Sequence, residues 1–210
     1  MNRWHGRLIL AATALVVLLP FMLVLAALIR LTSPGPAIFR QQRCGLNGRL
    51  FTFYKFRSMC DNAEQLKASV AHLNRKSTAF KIPDDPRLTR IGRVLRKFSI
   101  DEWPQLWNVI RGEMSLVGPR PEVPRYVALY PPEIRDLVLS VRPGITDRAS
   151  IEFRDEGRLL AEAADPERCY VEQILPRKLA YYADYARKRS LAGDVVILFD
   201  TLAAVFGRPR

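Results

Sequence analysis

Two adjacent carboxylates, Asp101 and Glu102, stand in the stretch SIDEWPQLWNVIRGEMSLVGPRPE, residues 99–122. Carboxylates beside cations can hold Mg²⁺ together with phosphate oxygens, or one of them can attack phosphorus and give an aspartyl-phosphate-type intermediate. Cations are close by in sequence: Arg96 before the pair, Arg111 and Arg120 after it, with Asn108 between. Arg120 lies between Pro119 and Pro121, whose rings limit its backbone freedom and suit a guanidinium that must meet a phosphate bidentately. A plainer explanation competes. Ser99 to Glu102 matches the S-x-x-E capping box, in which acids occupy the first helical turn. Pro104 counts against it: with Ser99 as the cap, Pro104 would be the fifth helical residue, its ring meeting the carbonyl of Ile100. As the first residue of the helix, Pro104 fits better, and both acids then lie in the turn ahead of that helix.

A second group of cations comes from an expected hairpin. AIFRQQR and LFTFYKFRS flank the Gly-Leu-Asn-Gly turn after Cys44 and read as two antiparallel strands. Lys55 and Arg57 are two apart, so they share a strand face among Phe51, Phe53, Tyr54 and Phe56. That face is either a solvated surface or an anion site. After it, residues 61–76 read as an amphipathic surface helix and KIPDDP as a break. RLTRIGRVLRKFS, residues 87–99, reads as a basic helix with Arg87, Arg90, Arg93 and Arg96 along one drifting stripe that leads into Asp101.

Composition narrows the chemistry. The 210 residues carry 33 Lys and Arg against 21 Asp and Glu, a net charge of +12 that favours anionic partners. Two histidines and three unspaced cysteines leave no material for a Ser-His-Asp triad, a His-rich metal site or a disulfide framework. Neither a GxGxxG nor a Walker loop occurs. Catalysis here must lean on carboxylates, Arg, Lys or a metal.

The elements that position these residues begin with an uncharged run, residues 8–29, LILAATALVVLLPFMLVLAALI. As one straight helix it would reach ~33 Å, enough to cross a bilayer core. Pro20 interrupts it at the middle, leaving two arms of roughly half that length each. Arginines flank both ends, Arg3 and Arg7 before, Arg30, Arg40, Arg43 and Arg49 after, so both ends prefer the cytoplasmic side. A helix that enters, bends at Pro20 and returns accounts for both features. Further on, PPEIRDLVLSV predicts a short helix, RPGIT a fixed loop, RASIEFR a strand, and residues 166–189 a long helical region interrupted at Pro176. Residues 190–206 predict a largely apolar helix holding Asp194 and Asp200, packed on the domain or lying in the membrane interface. The expected fold is α+β and mostly helical: residues 1–32 a re-entrant membrane helix bent at Pro20, residues 33–210 a compact interfacial catalytic domain with a small β-hairpin or sheet.

SPGPAIFRQQRCG, FYKFRSM, SIDEWPQLWNVIRGEMSLVGPRP and RPGIT, in that order, resemble the bacterial sugar transferases, the small monotopic phosphoglycosyl transferases. Several long motifs over residues 5–206 carry the resemblance. It implies transfer of a sugar-1-phosphate from a UDP-sugar to polyprenol (undecaprenyl) phosphate at the cytoplasmic face of the bacterial inner membrane, with UMP released and glycan assembly begun. It further implies Asp101 as a nucleophile that becomes phosphosugar-bound, Glu102 as its partner and Mg²⁺ at the pair. Lys55, Arg96 and Arg120 would lie near the substrate phosphates or nucleotide, Arg57 on the same strand face as Lys55, and Asp194 in support. Pro20 matches the bend of the family's re-entrant helix. Partners would be a UDP-sugar, polyprenol phosphate and membrane lipid, with no nucleic acid; a homodimer is possible. Two departures are Leu19, where relatives often have Ser, and DRASIEF after PGIT, where relatives often have Gly-Trp and Ala-Gln-Val. The rival is a membrane-tethered basic module that binds anionic lipid or nucleic acid without catalysis, which leaves the acidic pair between arginines unexplained.

Overall fold

The computed structural model describes residues 3–61, 63, 87–154, 156, 159–160 and 163–207. The expected helix over 61–76 and the break at 81–86 fall almost wholly outside the described residues. Among the described residues the protein is mostly helical with two small sheets.

The apolar N-terminal run forms one helix, α1 (Arg3–Thr32), with Pro20 inside it rather than at its end. It is long and apolar enough to cross a membrane. Its inner stripe is nevertheless covered by protein on both sides of Pro20. Ala11, Ala14, Leu15 and Leu18 pack with Phe51, Phe53, Leu106, Val109 and Met114. Met22, Leu25, Ala26 and Ile29 pack with Phe56, Leu95, Ile100 and Trp103. The spacing of three and four is that of one helix face. The other face leaves Ile9, Val16, Leu23, Val24 and Leu31 exposed.

The hairpin forms as expected, β1 (Ile38–Cys44) antiparallel to β2 (Leu50–Phe56). Asn47 and Gly48 take positive φ at the turn, which Asn and Gly tolerate best. Helix α2 (Arg90–Lys97) is capped by the Thr89 side chain, which accepts from the Gly92 amide. A Cβ on Gly92 would run into the Ser58 carbonyl, so glycine sets how closely α2 approaches the strand end. The four arginines do not stay on one stripe: Arg87 is buried, Arg90 and Arg93 are exposed, and Arg96 donates to Ser58 Oγ at 2.9 Å.

Downstream come α3 (Gln105–Ile110), β3 (Ser115–Val117), α4 (Pro124–Val127), α5 (Pro132–Leu139) and β4 (Gly144–Thr146). β3 and β4 pair in parallel, so the RPGIT loop carries a strand. The expected strand over 148–154 is instead a helix, α6 (Arg148–Glu152). Asp147 overrides the strand pattern by capping it, accepting from the Ser150 amide at 3.0 Å and its hydroxyl at 2.6 Å. The region from 166 begins with α7 (Pro166–Cys169), passes through a π-turn at Tyr170–Ile174, and continues as α8 (Leu175–Lys188). Pro176 is in the first turn of α8, where its missing N–H costs least.

The last helix, α9 (Leu191–Phe206), is capped by Ser190. Its buried residues are Asp194 and Ile197, and Thr201 Oγ1 meets Thr146 Oγ1 at 2.7 Å. Leu191, Val195, Phe199, Leu202 and Phe206 are exposed, at steps of three and four. α9 thus turns its polar anchors inward and an apolar stripe outward, the reverse of an ordinary surface helix.

Candidate active site

The acidic pair sits in a 3-10 turn, Ile100–Glu102, between α2 and α3. Ser99 takes a left-handed conformation, φ 55, and makes no side-chain cap, so the capping box does not form. Pro104 immediately precedes α3 and holds helical φ and ψ. Both acids therefore lie ahead of the helix, as Pro104 requires.

The two carboxylates have different surroundings. Asp101 is buried, and among the described residues no hydrogen bond reaches its carboxylate. Glu102 is held bidentately by Arg120, Nη2 at 2.6 Å from Oε1 and Nη1 at 3.3 Å from Oε2. Burial pushes the Asp101 carboxyl above the ordinary carboxylate range, the Glu102 charge adds to this, and Lys55, Arg96 and Arg120 oppose it. Glu102 in turn raises Arg120 above the usual arginine value. Asp101 is thus a buried carboxylate, without a hydrogen bond among the described residues, whose charge three cations favour.

The strand pleat explains how Lys55 gets there. Its Cα pairs with that of Phe39, and residues 51, 53 and 55 share one face. Phe51 and Phe53 on that face enter the core against Leu106 and Val109 of α3, which carries the face toward the acidic turn. The Lys55 ammonium lies 4.9 Å from the Phe39 ring centroid. Burial lowers it to about 8, with Arg96 pushing the same way and Asp101 opposing. Lys55 is part-exposed.

One expected site residue, Arg57, is placed elsewhere, and Asp194 belongs to a separate network. Arg57 lies one residue beyond β2 and is buried, donating to Ser33 O at 2.7 Å, to Ile29 O at 3.5 Å and to Pro34 O. It satisfies carbonyls at the C-terminus of α1, a cation where the helix dipole favours one. The shared anion face with Lys55 is not realised, because Arg57 follows the strand rather than belonging to it. Asp194 is buried at the start of α9, ion-paired to Arg7 and 2.9 Å from the Tyr185 hydroxyl. That network ties the beginning of α1 to α8 and α9.

Sequence reasoning missed Arg43 as a member of the site. Its Cα pairs with that of Phe51, so it shares the face of Phe53 and Lys55, and its guanidinium lies 5.3 Å from the Phe53 ring centroid. Hairpin register combined with period-two alternation is the signal that could have found it. The loop bearing Arg120 is drawn in by backbone approach of Gly118 to Gly144, where neither could carry a Cβ without striking the other's main chain. Gly118 N donates to Thr146 O at 3.1 Å and Gly144 N to Pro119 O at 2.9 Å. Arg120 also lines a pocket with Cys44, Glu122, Tyr130 and Val138, about 270 Å³ with open solvent included.

The residues fit Mg²⁺ as a shared ligand. No group of three or more His, Cys, Asp or Glu among the described residues could cage a metal unaided. Mg²⁺ does not need one: it is typically held by one or two carboxylates with substrate phosphates and water. Asp101, without hydrogen bonds, is the carboxylate better placed for that role.

The sequence profile of the bacterial sugar transferases matches residues 3–208. A UDP-N-acetylgalactosamine-undecaprenyl-phosphate N-acetylgalactosaminephosphotransferase of Aeromonas hydrophila is 40% identical over 204 residues, 96% of this chain and 43% of that protein. An exopolysaccharide production protein ExoY of Sinorhizobium fredii is 35% identical over 202 residues, 94% of this chain and 82% of that protein. A UDP-glucose:undecaprenyl-phosphate glucose-1-phosphate transferase of Xanthomonas campestris pv. campestris is 38% identical over 203 residues, 95% of this chain and 38% of that protein. The chain spans less than half the length of the first and third of these relatives.

Proposed function

Because the chain belongs to the bacterial sugar transferase family, we propose that it transfers a sugar-1-phosphate from a UDP-sugar to undecaprenyl or a similar polyprenyl phosphate. The observation that carries this reading is the buried Asp101 carboxylate, which accepts no hydrogen bond among the described residues and whose charge is favoured by Lys55, Arg96 and Arg120. A poorly solvated carboxylate is a better nucleophile than a hydrated one, and the cations favour the dianionic diphosphate beside it.

In the first step an Asp101 oxygen bonds to the phosphorus that bears the sugar. The bond from that phosphorus to the bridging oxygen breaks, and its electron pair leaves with UMP. In the second, a phosphate oxygen of the polyprenyl phosphate bonds to the same phosphorus and the Asp101–phosphorus bond breaks. The product is a polyprenyl diphosphate sugar, and the carboxylate is regenerated. Lys55 and Arg96 offset charge at the reacting phosphoryl group, while Arg120, oriented by Glu102, meets the diphosphate. Asp101 and Glu102 would hold Mg²⁺, which when bound supplies neutralisation of the diphosphate charge. The relatives' names include N-acetylgalactosamine and glucose donors.

Two outward apolar faces support the membrane placement. The inner stripe of α1 is occupied by the domain on both sides of Pro20, which supports reading α1 as a re-entrant, one-leaflet element. Its outer face and the outer stripe of α9 are seated in lipid, residues 33–210 forming the catalytic domain at the cytoplasmic face of the inner membrane.

The test is a radiolabelled UDP-sugar panel with Mg²⁺ and lipid but no polyprenyl phosphate. Label on protein and release of UMP are expected, both lost in Asp101→Asn. Transfer that persists in Asp101→Asn once polyprenyl phosphate is supplied would remove the nucleophile assignment. Failure of every UDP-sugar, with salt-sensitive nucleic-acid binding instead, would favour a basic binding module. Cysteines at His5 and Pro36, in a background without native cysteines, should label from the same side of the membrane; opposite sides would mean a spanning helix. Gly35 is unsuited to this, as its φ is +103 and a Cβ there would strike Arg57.

A further inference from the structure

Prolines on both sides of Arg120 set its backbone angles, but they do not fix the loop against the rest of the protein. Hydrogen bonds do. On one side, Gly118 and Pro119 bond to Thr146 and Gly144. On the other, Cys44 N donates to Glu122 O at 3.0 Å. Arg43 completes that second side: Nη1 donates to Pro121 O at 2.9 Å and lies 3.3 Å from Glu122 Oε2. Its Nε donates to Gln41 Oε1 at 2.9 Å, and its guanidinium rests over the Phe53 ring.

Two arginine–glutamate pairs therefore flank Pro121. Arg120 is held through its side chain by Glu102, and its loop is held through the main chain by Arg43, with Glu122 as counter-ion. The guanidinia of Arg43 and Arg120 repel, as the charge of each disfavours the other. Glu122 offsets that repulsion at Arg43, and Glu102 does so at Arg120. Both side chains of the Arg43 pair are largely buried, 17% and 10% exposed, so the link is not a solvent-screened surface contact.

We propose that Arg43 is a positioning residue, acting through the Pro121 carbonyl and Glu122 to hold Arg120 where it meets the donor's diphosphate. This rests on the reading that Arg120 binds that diphosphate. A guanidinium presents several donors in a rigid fork, so it can span a carbonyl, a carboxylate and Gln41 at once; a lysine could satisfy only part of the set. A displacement of the Arg120 loop by about an ångström is enough to change affinity or rate by one to two orders of magnitude.

The test measures UDP binding calorimetrically on the full chain in lipid, for Arg43→Gln, Arg43→Lys, Arg120→Gln and the Arg43→Gln/Arg120→Gln double variant. Arg43→Gln is expected to weaken UDP about tenfold or more and Arg43→Lys by less. The double variant should bind no more weakly than Arg120→Gln alone, because an arginine that acts through Arg120 has nothing left to position. A neutral Arg43→Gln, or losses that multiply in the double variant, would overturn the proposal and leave the Arg120 reading intact. An Arg120→Gln variant that binds UDP like the parent would overturn that reading, and the proposal with it. Should Arg43→Gln fail to fold, Glu122→Gln replaces it in the same cycle, with a smaller loss and the same lack of additivity expected.

Discussion

Replacing Glu102 with glutamine is expected to make Asp101 more acidic. Asp101 is raised first by burial and second by the Glu102 charge. Glutamine keeps the size of the side chain and one oxygen for Arg120, and removes only the charge. A unit charge at ~4 Å in an effective dielectric of about 20 is worth ~4 kcal/mol. Glu102 is 20% exposed and paired with Arg120, so only part of its charge reaches Asp101. Arg120, relieved of its counter-ion, attracts the Asp101 anion more strongly, and this acts in the same direction. The assay is kcat/KM for UMP release against pH at several fixed Mg²⁺ concentrations, extrapolated to low Mg²⁺, since that ratio reports groups in the enzyme before the UDP-sugar binds. The acid limb, where Asp101 must lose its proton to attack, should move to lower pH. Breaking the Arg120 fork should also lower unfolding stability by about 1–3 kcal/mol. An acid limb that stays or moves up would refute the electrostatic coupling. A raised Mg²⁺ requirement with the limb unmoved would make Glu102 a metal ligand first.

The alkaline side should belong to Lys55: activity falls as pH rises through about 8, and Lys55→Met lowers activity and removes that limb. Its folded value lies below the ordinary 10.5, so its contribution to stability should rise, not fall, between about 8 and 10.5, measured by urea unfolding at several pH values. Arg57→Met should lower the thermal midpoint, losing about 2–3 kcal/mol as the carbonyls of Ser33 and Pro34 lose their donor, and leave UDP affinity unchanged. In Gly92→Ala, alanine's helix propensity favours folding by up to ~1 kcal/mol, but a Cβ against the Ser58 carbonyl should outweigh it. A net loss of about 1–3 kcal/mol by calorimetry is expected, with lower activity as α2 and Arg96 shift.

Local rules determined a good deal. Pro104 placed the acidic pair ahead of α3 because a ring cannot sit in the second helical turn, and the chain obeys that. The Gly-Leu-Asn-Gly turn and its flanking aromatics specified the hairpin, because positive φ and a half-buried pleated surface are local demands. The apolar run specified a long helix from its own composition. Local rules failed where a single side chain redirected the backbone. Asp147 caps α6 and turns a strand-like pattern into helix. A π-turn lets the helical region run on into Pro176 instead of stopping there.

Tertiary structure decided which cations belong to the site. Lys55 and Arg57 are equivalent by spacing, yet one faces Asp101 and the other caps α1, because β2 ends between them. Arg96 turns inward while Arg90 and Arg93 stay outside, since α2 is pressed onto Ser58 at Gly92. Arg43 joins through pairing across the hairpin, and Asp194 is taken up by Arg7, which is 187 residues away in the chain. Residue type and spacing can state what chemistry is available. Which charges share a low-dielectric space depends on contacts between distant segments, and no local pattern carries that information.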